Sequence, residues 1–127
     1  MTNERLSLGK KGEELAVAEL KKLKFKILER NYKCILGEVD IVAKEKGTLV
    51  FVEVKTRAGT GYGAPQEAIT LLKRREVEAV AAQFVDRHGL HGLAVRFDAV
   101  AIVVLRRSSG SEISIEHVED AWRPGWP

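Results

Sequence analysis

The fold of this chain is decided by two neighbouring segments, Gly37-Glu38-Val39-Asp40-Ile41-Val42 and Phe51-Val52-Glu53-Val54-Lys55. Successive side chains of a strand point to opposite faces, so Glu53 and Lys55 share one face while Val52 and Val54 take the other. The polar break at residues 45–48 is short enough for an antiparallel hairpin, which places Asp40 nearly opposite Glu53. The sequence therefore predicts a hairpin on which three charged groups converge.

Charged residues at alternate positions are more often simply the solvent face of an amphipathic hairpin. Here Leu49 and Phe51, on the same face as Glu53, are apolar, which favours strands that are covered on both sides. On a covered face an aspartate opposite a glutamate is destabilising, and the usual relief is a hard divalent cation bound through carboxylate oxygens. We therefore expect Mg²⁺ or Mn²⁺ at Asp40 and Glu53, and not Zn²⁺, because no His or Cys stands near.

Hydrophobic periodicity and turn residues predict an α/β fold with a mixed central sheet flanked by helices. Residues 1–127 are expected to form a single domain, since the chain is too short for two independent cores. The predicted elements are a helix over 7–23, a strand over 25–32, the hairpin, a Gly-rich loop over 57–63, a long helix over 65–87, a strand over 95–104 and a short strand over 113–115.

The charge of the chain is mildly basic, with 21 Lys and Arg against 18 Asp and Glu, a net charge of +3 and a pI near 9.1. Basic residues crowd the first quarter, including Lys10 and Lys11, and recur at 73–75, while acids concentrate around the hairpin and the C-terminal segment. Basic arms around an acidic centre are typical of proteins that bind a phosphodiester backbone. The alternative is a set of solvated helix faces with nearby glutamates as partners.

Targeting and redox signals are few. Cys34 is the only cysteine, the N-terminus is polar, and no apolar run is long enough for a signal peptide or a membrane span. We therefore expect a cytoplasmic protein with no membrane partner. His88, His91 and His117 lack the spacing of a zinc site and are expected at the surface or in loops.

The charged residues of the hairpin match the PD-(D/E)xK nuclease signature, with Asp40 as the first acid and Glu53-Val54-Lys55 as the ExK element, although Val39 stands where the signature has Pro. From Gly9 to about Val104 the chain resembles the YraN-like family of small bacterial predicted endonucleases, which is similar to archaeal Holliday junction resolvases. Further landmarks of this resemblance are Gly9-Lys10-Lys11-Gly12-Glu13-Glu14-Leu15-Ala16, Gly63-Ala64-Pro65-Gln66-Glu67-Ala68, Lys73 and Arg96-Phe97-Asp98.

The resemblance implies a restriction-endonuclease-like fold and a metal-dependent endonuclease that hydrolyses nucleic acid, with branched or recombination and repair DNA among the candidate substrates. It assigns Glu13, carried on the first helix, to the metal site beside Asp40 and Glu53. Lys55 would orient or deprotonate the attacking water, or hold the phosphate, and we favour orientation because neighbouring carboxylates oppose a lowered lysine pKa. Resolvase-like enzymes are dimers, so a homodimer is compatible with the resemblance.

Helical geometry leaves several roles open. Glu13 falls on the border of the apolar stripe of the first helix (Leu8, Gly12, Leu15, Ala16, Leu20 and Leu23), but Glu19 lies near it as well. Lys73 lies on the core-facing side of the long helix, either with its ammonium snorkelling to solvent or as a second cation beside the scissile phosphate. Glu38 is either a further ligand or an ion-pair partner, and Asp98 is expected to orient Arg96 or a backbone group.

The Gly-rich loop leaves the hairpin directly after the ExK element, so we expect it at the mouth of the site. Tyr62 would stack on a base or ribose there, and Gln66, Lys10 and Lys11 would contact nucleic acid. The loop is otherwise only a flexible connector. Two other functions remain alternatives: a non-catalytic nucleic-acid-binding module on the same fold, and a structural protein whose hairpin charges form salt bridges.

Overall fold

The structure, a computed structural model, describes residues 3–125, with side chains described from residue 8 onward. Its two helices are α1 (Asn3–Lys22) and α2 (Leu71–His88), and a 3-10 helix spans Pro65–Ala68. Its strands are β1 (Lys26–Cys34), β2 (Gly37–Glu45), β3 (Thr48–Ala58), β4 (Ala94–Arg107) and β5 (Gly110–Val118).

The strands form one sheet in chain order, β1-β2-β3-β4-β5. All neighbours are antiparallel except β3 and β4, which run parallel and are joined through α2. A parallel pair needs a crossover connection of this kind. The predicted α/β class with a mixed central sheet flanked by helices is confirmed, and the architecture is consistent with a restriction-endonuclease-like fold.

The sheet is covered on both faces, as the sequence predicts. Leu49 and Phe51 of β3 belong to a buried cluster with Val77, Val80 and other residues of α2. The alternate residues Val50 and Val52 belong to a second cluster, with Ala16, Val17 and Leu20 of α1. Both faces of β3 are therefore buried from Leu49 to Glu53. A charge on this part of the strand is an exception that calls for a physical reason.

Gly12 sets the distance between α1 and the sheet. A Cβ atom at this position would lie 1.8 Å from Oγ1 and 3.1 Å from Cβ of Thr56, in β3. Only glycine allows the helix backbone to approach the strand so closely. The next residue, Glu13, is thereby held beside the C-terminal end of β3.

The regular alternation of side chains between the two faces of the sheet breaks at Asn31 in β1 and at Asp40 in β2. Val39 packs in the α2-side cluster and Ile41 in the α1-side cluster, although a regular strand would put both on one face. On β1, Tyr32 bonds to Gln83 of α2, whereas Arg30 bonds to Glu14 of α1. Asn31, between them, has a φ of 52°, a left-handed conformation that asparagine tolerates better than most residues.

Four sequence predictions about local structure are wrong in detail. The long helix begins at Leu71 and not at Pro65, because Thr70 caps it by accepting the N–H of Lys73 at 3.1 Å. Leu23 was expected in the apolar stripe of α1 but is 45% exposed. The last strand is longer than predicted, and β3 extends to Ala58, so the Gly-rich loop begins at Gly59.

His117 is a further correction, since its side chain is only 10% exposed and bonds to Asp98. His88 and His91 are exposed, as expected. His117 lies on the same face of β5 as the partly buried Ile115, two residues earlier, and its ring packs edge-on against Phe25.

Candidate metal and nucleic-acid site

Strands β2 and β3 separate at the predicted site. Their pairing ends at Ile41 and Val52, and beyond this point each strand pairs only with its outer neighbour. Two carboxylates replace the missing ladder bonds. The N–H of Asp40 donates to Oε1 of Glu53 at 3.3 Å, and Oδ2 of Asp40 accepts the N–H of Val54 at 2.8 Å.

Asp40 and Glu53 are thus brought together as the hairpin predicts, in an environment that disfavours their charge. Glu53 is only 2% exposed. Burial, followed by repulsion from Asp40, raises the pKa of Glu53 to about 8. Burial also raises the pKa of Asp40, against the opposing effects of the Val54 N–H and Lys73. Adjacent carboxyls with raised pKa values make this position a candidate functional site.

Glu13 shares a cavity of about 880 Å³ with Asp40 and Lys55. Burial, and then the nearby Asp40, raise the pKa of Glu13. Its Oε1 atom is buried and has no hydrogen-bond partner. A buried carboxylate oxygen without a hydrogen-bond partner is unusual in native proteins and calls for an explanation. The structure therefore places Glu13 beside Asp40, where the resemblance expected it.

Lys55 and Lys73 approach the acids from different elements. Lys55 is half-buried on β3 and lines the cavity with Asp40. Lys73 donates from Nζ to the Glu38 carbonyl at 3.1 Å and to Oε2 of Glu76 at 2.9 Å. Although burial lowers the pKa of Lys73, the bond to Glu76 and the charge of Glu53 outweigh it and raise the pKa overall. The ammonium of Lys73 is held near the acids and does not snorkel away from them.

Glu76 is a residue that sequence reasoning missed. Its Oε2 accepts the Glu38 N–H at 3.0 Å as well as the Lys73 ammonium, and both bonds lower its pKa. Gly37 permits this contact, since a Cβ there would lie 2.4 Å from Cγ of Glu76. The spacing of Lys73 and Glu76, three residues apart on a helix, was the available signal. Glu76 therefore links α2 to β2 at Glu38, two residues before Asp40.

The remaining predicted contacts lie around this centre. Glu38 is exposed, and its carboxylate lies 3.7 Å from Nζ of Lys33, which favours the ion-pair role. Lys10 and Lys11 are exposed on α1. Gln66 lies in the 3-10 helix, with Oε1 buried and without a partner. Their contacts with nucleic acid stay predictions.

Tyr62 folds back onto β3 instead of standing free. Its hydroxyl donates to the Ala58 carbonyl at 2.5 Å, and its ring lies over the Arg57 guanidinium, 4.8 Å from Cζ to the ring centroid. The side chain remains 47% exposed. Stacking on a base would therefore require the ring to leave Arg57 or to use its outer face.

Asp98 orients Arg96, as the sequence predicts, and stays outside the site. It is fully buried and accepts from Nε of Arg96 at 2.8 Å, from the Asp120 N–H at 3.0 Å and contacts His117 Nε2 at 2.8 Å. Burial alone would raise the pKa of Asp98, but the hydrogen bonds from His117, Arg96 and Asp120 lower it overall. This network secures the C-terminal segment to β4.

Asp40 and Glu53, the two acids at the fork of β2 and β3, differ from Asp98 in their partners. Within residues 8–125, neither Asp40 nor Glu53 forms an ion pair with Lys, Arg or His. Across the same residues, no three His, Cys, Asp or Glu side chains are gathered tightly enough to hold a metal by themselves. Asp40 and Glu53 are adjacent, and Glu13 also lines the cavity wall.

No helix in the described part of the chain is long and apolar enough to cross a membrane.

Comparison with known proteins matches residues 12–102 to the model of the family described as "Uncharacterised protein family UPF0102". The chain belongs to the UPF0102 family. It is 46% identical over 115 residues to a UPF0102 protein of Geobacter sulfurreducens, covering 91% of this chain and 88% of that protein. It is 45% identical over 117 residues to a UPF0102 protein of Rhodococcus jostii, covering 92% and 97%. The expected YraN-like family membership is confirmed.

The matched region of the UPF0102 chain contains Glu13, Asp40, Glu53 and Lys55. A third relative, from Caldicellulosiruptor saccharolyticus, is 47% identical over 108 residues, which cover 85% of this chain and 92% of that protein. The family thus shares the whole fold and not only the hairpin.

Proposed function

We propose that this UPF0102 protein is a metal-dependent endonuclease that hydrolyses phosphodiester bonds in nucleic acid, with DNA as the proposed substrate. The observation that carries the proposal is the pair formed by the buried Glu53 and the half-buried Asp40 at the fork of β2 and β3. Both pKa values are raised, and neither acid forms an ion pair with a Lys, Arg or His of residues 8–125. Perturbed acids that line a cavity are candidates for functional groups.

The donor set suits a hard divalent cation. Asp40 and Glu53 would bind Mg²⁺ or Mn²⁺, and Glu13, whose buried Oε1 lacks a partner, would complete the set directly or through water. Mg²⁺ usually keeps several waters and uses only one or two carboxylates together with substrate phosphates, so three tightly gathered acids are not required. The bound cation would lower the pKa of a water and neutralise charge on the scissile phosphate.

The residues of the chain supply the remaining requirements. Lys55, half-buried on the cavity wall beside Asp40, would orient the attacking water and place positive charge near the developing charge of the phosphate. Lys73, kept near the acids by Glu76 and the Glu38 carbonyl, would act as a second cation at the phosphate. Their fixed positions avoid reorganisation when charge develops.

A cleavage panel tests the proposal. Purified protein is incubated with branched, nicked, duplex and single-stranded DNA and with RNA, with Mg²⁺, with Mn²⁺ or with EDTA. We expect metal-dependent cleavage of at least one substrate, lost in Asp40→Asn and retained in Glu112→Gln, which removes an exposed acid of β5. Tight binding without any cleavage would instead support the non-catalytic binding module. If the protein neither bound nor cleaved any of these substrates, the structural role would be the remaining alternative.

A further inference from the structure

Among the side chains of residues 8–125, Arg57 is a partly buried cation without a counter-ion. The described chain has three half-buried arginines, Arg57, Arg74 and Arg96. Arg96 pairs with Asp98 and Glu45, and Arg74 donates to two backbone carbonyls. Arg57 has only one long bond, 3.5 Å from Nη1 to the Gly63 carbonyl, and its Nη2 is buried with no partner.

The missing hydrogen bond of Arg57 Nη2 lowers the stability of the folded protein, so it calls for a functional reason. Leaving a buried donor without an acceptor destabilises the folded protein, and more so when the group is charged. At this position β3 pairs only with β4, because its pairing with β2 ends at Val52, so the Arg57 side chain lies at the open side of the fork. A buried, unpaired guanidinium nitrogen is best explained by an anionic partner that is bound during function.

The position of Arg57 identifies the partner. Arg57 follows Lys55 by two residues on β3, so the two side chains lie on one face. Arg57 lines the same cavity as Glu13, Asp40 and Lys55, and also a smaller cavity of about 180 Å³ beneath the Gly-rich loop. A nucleic-acid strand that presents one phosphate to the carboxylates would carry the adjacent phosphate along this face.

We propose that Arg57 binds a backbone phosphate of the nucleic-acid strand next to the one held at Asp40 and Glu53; this inference rests on the proposed function. A guanidinium fits a phosphate with two parallel N–H donors, which lysine cannot match. In the free protein the Tyr62 ring covers one face of the guanidinium. Gly59 and Gly61, with φ of 103° and 86°, give the loop the freedom to move Tyr62 aside, and a phosphate oxygen then gives Nη2 its acceptor.

The test measures binding separately from cleavage. Fluorescence anisotropy with a fluorescein-labelled duplex and a labelled single strand is recorded in EDTA over a salt series. Arg57→Ala should weaken binding roughly tenfold, as expected for one lost charged hydrogen bond. The slope of log K against log salt should fall by about 0.9 on duplex or about 0.7 on single strand, one phosphate contact. Arg57→Lys should restore the slope but only part of the affinity.

Arg87→Ala, an exposed arginine at the far end of α2, is the matched control and should change neither quantity. Melting temperatures establish that the variants fold, and Arg57→Gln replaces Arg57→Ala if the latter does not. An unchanged affinity and slope in the Arg57 variant overturns the inference even if Asp40→Asn abolishes cleavage. The expected slope change in a protein that never cleaves supports the inference and rejects the endonuclease. Absence of wild-type binding to both probes overturns the inference.

Discussion

Asn31 of β1 and Asp40 of β2 lie opposite each other, between the paired residues Arg30–Ile41 and Tyr32–Val39, and both strands lose their alternation at this point. The left-handed backbone of Asn31 accommodates the irregularity. As a result, the Asp40 carboxylate reaches the gap between β2 and β3 and bonds to Val54 in the neighbouring strand.

Substitution of Asn31 tests this relationship. Asn31→Gly should leave stability and activity near those of the wild type, because glycine adopts positive φ freely. Asn31→Val should lower the free energy of unfolding by roughly 1–2 kcal/mol, the cost of a left-handed conformation, and should lower Mg²⁺-dependent cleavage as Asp40 moves. Chemical denaturation and the cleavage assay measure the two effects. Equal behaviour of both variants would show that the conformation of Asn31 is unimportant.

Asp40→Asn and Glu53→Gln should each abolish Mg²⁺ binding and cleavage. In the absence of metal, each variant should be as stable as the wild type or more stable, because the change removes repulsion between two buried carboxyls. Calorimetric titration with Mg²⁺ and melting in EDTA provide the measurements. Unchanged Mg²⁺ affinity in both variants would reject the metal assignment.

The pH dependence of metal-free stability follows from Glu53. Its folded pKa of about 8 is raised above the ordinary value of 4.5, so the folded state holds a proton that the unfolded chain has already released. This contribution to stability is fully present below about pH 4.5 and is lost as pH rises through about 8. We expect the melting temperature in EDTA to fall over this window, and to fall less in Glu53→Gln. Mg²⁺ should reduce the decline, because it favours the ionised carboxylates.

Lys55→Ala should retain Mg²⁺ affinity but lose turnover, by about a hundredfold or more, because the lysine acts on water or phosphate and not on the ion. Calorimetry and single-turnover cleavage separate these effects. Lys44→Ala, which removes an exposed lysine of β2, is the control. If the Lys55 variant lost metal affinity together with turnover, Lys55 would instead have a structural role in the site.

Gly12→Ala should destabilise the protein by about 1–3 kcal/mol, because the added Cβ meets Thr56 and pushes α1 from the sheet. It should also lower cleavage, since Glu13 moves with the helix. Gly9→Ala is the matched control on the same helix, with no atom within 4 Å of its new Cβ. That variant should be neutral or more stable by about 0.5–1 kcal/mol. Similar denaturation curves for the two variants would contradict the close-contact role of Gly12.

The sequence by itself determined the parts of this protein that depend on short-range periodicity. Alternation along β2 and β3 and the short turn between them predicted the hairpin, the two covered faces and the meeting of Asp40 with Glu53. The core-facing position of Lys73 and the link between Asp98 and Arg96 followed from the same rules. These features are local because strand and helix geometry fixes them within a few residues.

Tertiary structure alone decided the features that join distant segments. The contact of Glu76 with β2, the burial of His117 against Asp98 and the missing partner of Arg57 depend on how elements cross, which no single segment specifies. The start of α2 was missed because Pro65 suits the first turn of a 3-10 helix as well as that of an α-helix, and the Thr70 cap decided between them. The break in alternation at Asp40 coincides with the left-handed backbone of Asn31 opposite it, and that pairing is set by the register of the sheet.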